Sequence, residues 1–230
     1  MSRDIYASLS GAAASWAQME VVANNIANAS TTGYKAGRLA FSLDGSGTSR
    51  LSRVYAQATE VHPDLADGAL VRDDNPTHLA LQGRGFFALE GQERLLLTRD
   101  GRFSLDEDGQ LVSAAGHPVL GEGGPIEIPP GETIRVSTDG RVYGSESGEL
   151  DRLRLLAGPV SPVGDNLWEQ AGPLEEAEAQ VSQGALEASN VDPMRAMVEL
   201  IEASRYFEAY QKAMRASDEA DARVNRTGGR

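Results

Sequence analysis

Asn24-Asn25-Ile26-Ala27-Asn28-Ala29-Ser30-Thr31-Thr32-Gly33-Tyr34-Lys35 separates an apolar-periodic N-terminal segment from turn-rich sequence. Three asparagines in five positions are unusual inside a helix. Asn side chains compete for helical backbone groups and suit helix ends, turns, or bonds to a neighbouring chain. The Ser-Thr-Thr-Gly that follows supplies helix-ending and turn chemistry. The block therefore reads as the exit from a long helix and as a docking point.

Upstream, a helix is expected over residues 2–29. Ile5, Leu9, Ala12, Trp16, Met19, Ala23 and Ile26 follow 4-3-4-3-4-3 spacing, a heptad seam. Ser2 is the expected N-cap, and Asp4 lies in the first turn, where the helix dipole favours an anion. Small residues fill Ser8 to Ser15, including Gly11, which costs about 1 kcal/mol against Ala in a helix. Such a run permits close helix approach. Downstream, residues 35–77 lack a strong period and carry the Gly/Ser stretch around Asp44–Arg50. They read as an extended linker with some strand, including Arg53-Val54-Tyr55-Ala56.

Residues 78–170 read as β. Strand-like pieces include His78–Gln82, Gly85–Leu89, Leu95–Arg99, Thr133–Val136 and Leu153–Leu156. Asp100-Gly101, Asp108-Gly109 and Asp139-Gly140 are hairpin-turn signals, the first predicting a hairpin of Leu95–Arg99 with Arg102–Leu105. Turn signals about every ten residues suit an antiparallel barrel or sandwich. Residues 171–185 read as acidic and irregular. A second helix is expected over 193–224, capped by Asp192 with Pro193 at its first position. Leu200, Ala203, Phe207, Tyr210, Met214, Ser217, Asp221 and Val224 again keep heptad spacing.

The predicted fold class is α+β, with paired N- and C-terminal coiled-coil helices and an inserted antiparallel β domain. The expected domains are 1–34 with 186–230 as a helical unit, 35–77 as a linker, and 78–185 as the β domain. A two-helix pair has little core of its own and needs partner copies to bury its outer apolar groups. The candidate assembly interface is Leu9, Trp16, Met19, Asn24, Asn25, Ile26, Asn28, Leu200, Phe207, Tyr210 and Met214. The asparagine amides bond either within one subunit or between stacked ones.

Composition and motif chemistry exclude most other classes. The 230 residues carry a net charge of −13 and no cysteine. Such an acidic surface argues against nucleic acid and against anionic membranes. Without Cys there is no disulfide framework, thiol nucleophile or thiolate metal site. No apolar run reaches the ~18 residues of a membrane span. No basic start precedes an uninterrupted apolar stretch, so no cleaved signal is expected. His62, His78 and His117 are scattered without companion ligands. Asp106-Glu107-Asp108-Gly109 lacks the alternating ligands and later Glu of a calcium loop. Gly121-Glu122-Gly123-Gly124-Pro125 has no following Lys-Ser/Thr, so it is no phosphate cradle. No Ser lies in a Gly-x-Ser-x-Gly context. No catalytic, cofactor or metal site is expected, and the chain reads as a non-enzyme.

The residues from Asn24 to Lys35 resemble the N-terminal signature of flagellar rod and hook proteins. Gly184–Pro193, Met197–Ile201 and Arg205–Gln211 resemble the matching C-terminal signature. Gly83-Arg84-Gly85-Phe86-Phe87 and Thr98-Arg99-Asp100-Gly101-Arg102-Phe103 resemble the family's β domain. Gly116–Ile126 is most similar to the proximal-rod members, with the distal-rod members next. The resemblance implies an axial structural subunit of the basal-body rod, which crosses the periplasm and transmits torque. It implies terminal helices forming an inner tube through contacts with copies and other rod proteins. It further implies export, without a cleaved signal, by the flagellar type III apparatus. Two other readings remain: a distal-rod member, or a soluble β-domain binding module or hydrolase whose helices cap its own core.

Overall fold

The computed structural model describes residues 3–44, 55–92 and 94–227. The expected Ser2 cap, Arg53, Val54, residues 45–50 and the side chains of Ile5, Asp221 and Val224 lie outside the described residues. The fold is α+β, with a long helix toward each end and a mostly antiparallel β region between them. The chain divides into two compact units: residues 1–29, 36–64 and 191–230 form the first, and residues 30–35 and 65–190 the second. The segment 35–77 is thus shared between them.

The first unit contains α1 (Arg3–Ala27), β1 (Gly37–Asp44), β2 (Tyr55–Pro63) and α2 (Pro193–Thr227). β1 and β2 form an antiparallel hairpin with a bulge between Ala40 and Phe41. Its open end is closed by the Asp64 N–H donating to the Ala36 carbonyl at 2.8 Å. α2 starts where Asp192 Oδ1 accepts from the backbone N–H groups of Met194 (3.0 Å) and Arg195 (3.2 Å). These bonds satisfy donors that have no partner inside the helix. α1 packs on both α2 and the hairpin. Its buried line runs through Ala12 and Val22, and that of α2 through Ala196 and Ala203. Gly11 is explained by this packing: a Cβ there would lie 2.4 Å from the Tyr210 ring.

Asn25 joins α1 to the hairpin. It is buried, its Nδ2 donates to the Gly37 carbonyl at 2.9 Å, and its Oδ1 accepts from the Gly37 N–H at 2.8 Å. One amide thereby satisfies both backbone groups of the first residue of β1. Asn28 closes the helix, donating to Asn24 through both its backbone carbonyl (3.0 Å) and its Oδ1 (2.9 Å).

The second unit holds β3 (Leu70–Arg72), β4 (Leu79–Gln82), β5 (Phe86–Glu90), β6 (Leu95–Thr98), β7 (Ser104–Leu105) and β8 (Leu111–Val112). It continues with β9 (Ile134–Val136), β10 (Arg141–Gly144), β11 (Gly148–Arg152), β12 (Leu155–Ala157) and β13 (Val160–Gly164). β14 (Leu167–Gln170), β15 (Glu175–Glu176), β16 (Gln180–Gln183) and β17 (Ala185–Glu187) complete it. A six-stranded sheet has the order β13-β14-β6-β5-β12-β15, beside a three-stranded β11-β10-β9 sheet and the two-stranded pairs β16-β4, β17-β3 and β7-β8. Strand alternation gives the large sheet two buried faces. Phe87, Leu89 and Leu96 enter the main core with Phe103, Leu111 and Val142. Phe86, Ala88 and Leu97 enter a second cluster with Leu156 and Trp168.

Two sequence expectations are corrected. The Asp100-Gly101 hairpin does not form: β6 pairs with β5 and β14, and Ser104–Leu105 pairs with β8. Gly101 lies outside the left-handed region that a two-residue hairpin turn demands. Instead, its carbonyl accepts from the Leu79 N–H at 3.0 Å, and a Cβ on Gly101 would collide with the Leu79 carbonyl. Residues 171–185 are not irregular, since β15 pairs with β12 and β16 pairs with β4 along its whole length. Ala177, Ala179 and Val181 alternate onto the main core, an inward face that the intervening Glu178 and Gln180 masked. The Asp108-Gly109 and Asp139-Gly140 turns do connect antiparallel pairs, β7 with β8 and β9 with β10.

The two units differ in what holds them, and two substitutions separate these contributions. Phe87 is fully buried and meets Phe103 edge-on at 5.0 Å. Phe87→Ala is expected to destabilise the β unit by about 3–5 kcal/mol, read from denaturant unfolding monitored by β-sheet circular dichroism. Asn25→Ala leaves both Gly37 backbone groups without their amide partner. It is expected to destabilise the helix–hairpin unit by about 1–3 kcal/mol, read as faster hydrogen exchange in β1, with the β unit unchanged.

Candidate assembly surface and buried charge cluster

The predicted interface residues do not share one environment. Trp16 and Phe207 face each other across the helix pair, with ring centroids 5.7 Å apart and planes tilted by 51°. Trp16 keeps 51% of its surface exposed, and its indole N–H donates to Glu20 Oε1 at 2.9 Å. Leu9 is 53% exposed. Met19, Ile26, Asn28, Leu200, Tyr210 and Met214 are half-buried, Asn24 is exposed, and Asn25 is buried within its own unit.

The most exposed apolar line was not among the predicted residues. Met194, Met197, Val198 and Ile201 lie at helical spacing on the first turns of α2, with exposures of 73%, 47%, 55% and 54%. Tyr206 adds an exposed ring farther along the helix. Exposed apolar residues grouped on one helix face make that face a candidate interaction surface. The spacing was visible in the sequence, but the seam facing α1 used the stronger heptad and drew the reading.

A second arrangement was also missed: Lys35, Arg99 and Glu187 meet in the interior of the second unit, each at most 2% exposed. Lys35 follows the turn after the helix exit, Arg99 immediately follows β6, and Glu187 ends β17. Within β17, Ala185 and Glu187 alternate inward, while Leu186 between them does not. Glu187 Oε1 accepts from Lys35 Nζ at 2.6 Å and from the Gly68 N–H at 2.8 Å. Its Oε2 accepts from Arg99 Nη1 at 3.0 Å.

The cations are further satisfied by backbone groups and by a ring. Lys35 Nζ also donates to the Ala66 carbonyl at 2.8 Å, and Arg99 Nη2 donates to the Gly83 carbonyl. The Arg99 guanidinium lies 5.6 Å from the Phe86 ring centre, within cation–π range. Asp67, half-exposed, approaches Arg99 at 3.8 Å and balances the second positive charge. Burial pushes the Lys35 ammonium below its ordinary range, while its hydrogen bond and charge pairing with Glu187 pull it back. This is a structural ion cluster rather than a reaction centre. The Lys35 ammonium, the Glu187 carboxylate and the two Arg99 Nη groups bond to one another and to the backbone, while the buried Arg99 Nε has no hydrogen-bond partner.

Asp106, part of the sequence that faintly resembled a calcium loop, uses its carboxylate as a turn acceptor for the Asp108 and Gln110 N–H groups at 3.0 and 2.8 Å. Among the described residues, no group of three or more His, Asp or Glu is placed to hold a metal ion.

Three family patterns match the chain in sequence order. "Flagella basal body rod protein" covers residues 5–35, "Flagellar hook protein FlgE/F/G D1 domain" covers 80–144, and "Flagellar basal body rod FlgEFG protein C-terminal" covers 182–227. Full-length relatives agree. The chain is 32% identical to the flagellar basal-body rod protein FlgF of Mesorhizobium japonicum, over 96% of this chain and 97% of that protein. It is 34% identical to FlgF of Caulobacter vibrioides, over 93% of each. It is 30% identical to the flagellar basal-body rod protein FlgG of Agrobacterium fabrum, over 90% of this chain and 92% of that protein. Lys35 falls in the first matched region, Arg99 in the second and Glu187 in the third, so the ion cluster ties together the three segments by which the chain belongs to the flagellar basal-body rod protein family.

Proposed function

We propose that this rod-family structural subunit polymerises through its terminal helices into the proximal part of the hollow basal-body rod. The observation that carries this reading is the exposed apolar line Met194, Met197, Val198 and Ile201 on α2. A helix pair exposing that much apolar surface is incomplete as an isolated unit, and a stacked subunit supplies the missing cover. Leu9, Trp16, Leu200, Phe207, Tyr210 and Met214 contribute the remaining apolar contacts, with α1 and α2 pairing as a coiled coil. Asn24 and Asn28 set register where α1 ends, while Asn25 works inside its own subunit. The β unit forms the outer layer as a barrel- or sandwich-like domain.

The neighbours are copies of this chain and other rod proteins. The subunit leaves the cytoplasm unfolded through the flagellar type III apparatus and acts without enzymatic activity, cofactor or membrane insertion. No described helix is long and apolar enough to cross a membrane. Placement in the proximal rod is supported by identities of 30–34% to FlgF proteins, against 27–30% to FlgG proteins.

Ile201→Asp tests this reading. The side chain is exposed in the isolated chain, so unfolding should shift by no more than about 0.5 kcal/mol. Cells carrying the variant should be non-motile and should lack the protein in purified basal bodies. Normal swimming with the variant present in the rod would refute assembly through this face.

A further inference from the structure

We propose that the Lys35–Glu187–Arg99 cluster is a mechanical clasp that gathers, at one place in the β unit, every point where the chain passes to or from the helical unit. The chain passes between the units four times, after residues 29, 35, 64 and 190. All four passages are rooted in one network. The Gly33 N–H, in the segment entered after residue 29, donates to the Glu187 carbonyl at 2.7 Å. Lys35, the last residue before the second passage, donates to both Glu187 and the Ala66 carbonyl. Ala66, just after the third passage, also accepts from Asn190 Nδ2 at 3.0 Å. Asn190, the last residue before the fourth, donates its N–H to the Tyr34 carbonyl at 3.4 Å. Two further bonds tighten the network: Gly68 N–H to Glu187 Oε1 at 2.8 Å and Ala188 N–H to the Ala69 carbonyl at 2.8 Å.

The arrangement is suited to force. Every covalent path between the units is among these four, so a pull delivered along any one of them meets the others through Glu187 and Ala66. Arg99 anchors the carboxylate to the end of β6, the strand paired with both β5 and β14. The charges are buried, where ionic hydrogen bonds are strong and where separating them exposes an uncompensated charge. A joint needed only for folding could be built from apolar residues at no loss of stability. A joint that must not slip gains from directional, charge-assisted bonds. This assignment rests on the rod reading for the origin of the load, but not for the geometry.

The test compares full-length wild type with Glu187→Gln, Lys35→Met and Lys35→Arg. In hydrogen exchange, Glu187→Gln and Lys35→Met should accelerate amides in 31–35, 66–69 and 187–190 at least tenfold. Amides of β5 and β6 should stay unchanged, and Lys35→Arg should retain most of the protection. In cells, Glu187→Gln should swim in dilute medium and stall when viscosity is raised, where wild type continues. Three results would each overturn the clasp. The local amides could stay protected, the acceleration could spread equally through β5 and β6, or swimming could show wild-type dependence on viscosity despite local loosening. If Glu187→Gln does not fold, Lys35→Met is read by the same criteria, since it keeps the Arg99–Glu187 pair. Failure of the rod reading is recognised separately by normal swimming of Ile201→Asp, and leaves the exchange result to be judged alone.

Discussion

A carboxylate held out of water between two cations is the constraint around which the β unit closes. Glu187 is 1% exposed and receives Lys35 and Gly68 on one oxygen and Arg99 on the other. An isolated buried charge would be untenable, since the penalty for removing it from water amounts to several kcal/mol. The penalty is offset only if all the partners arrive together. Those partners come from residues 35, 68 and 99, far apart in the chain, so no partial or shifted assembly satisfies the carboxylate. The cluster thus selects one arrangement of three distant segments more strongly than it adds net stability.

This constraint explains local sequence that would otherwise look arbitrary. Gly33 adopts φ +67°, and a Cβ there would lie 2.4 Å from the backbone of Arg99. The turn before Lys35 therefore needs a residue that is both left-handed and without a side chain, so that the chain can lie against the end of β6. The same demand diverts the chain after Arg99. Instead of folding back on β6 as the Asp100-Gly101 signal suggests, it is drawn against Leu79, where Gly101 again leaves no room for a Cβ. Tertiary contact overrode a local turn preference because the arginine had to enter the interior.

How much was legible follows from the range of each interaction. The helices, the Asp192 cap of α2 and the Asp108-Gly109 and Asp139-Gly140 turns rest on residues a few positions apart, and the sequence displays them directly. β16 and the stretch leading into it were hidden because their inward face is carried into the core by Ala177, Ala179 and Val181, with Glu178 and Gln180 between. The ion cluster was hidden for a different reason. A lysine, an arginine and a glutamate separated by tens of residues carry no period or spacing. Only the occurrence of Arg99 directly after Leu95-Leu96-Leu97-Thr98, and of Glu187 in step with Ala185, hinted at burial. Asn25 was placed in the candidate interface with its amide free to bond within one subunit or between two, and its bonds to Gly37 depend on where β1 meets α1, which no local pattern encodes.

The surface of α2 divides in a way that bears on how a strongly acidic chain associates at all. Met194, Met197, Val198 and Ile201 make one apolar line, and at the same helical spacing it continues as Arg205, Glu208, Lys212 and Arg215, all exposed. Apolar area supplies affinity that is indifferent to direction, so by itself it would let partner helices slide. A charged continuation of mixed sign penalises registers that set like charges together and favours those that pair them. The net charge of −13 makes copies repel once their surfaces come within a Debye length of about 8–10 Å. Association then requires the apolar line to be met closely enough to outweigh that repulsion. In the proposed assembly, a surface built this way would resist casual aggregation of free subunits and still bind a partner that presents a matching face in the right register.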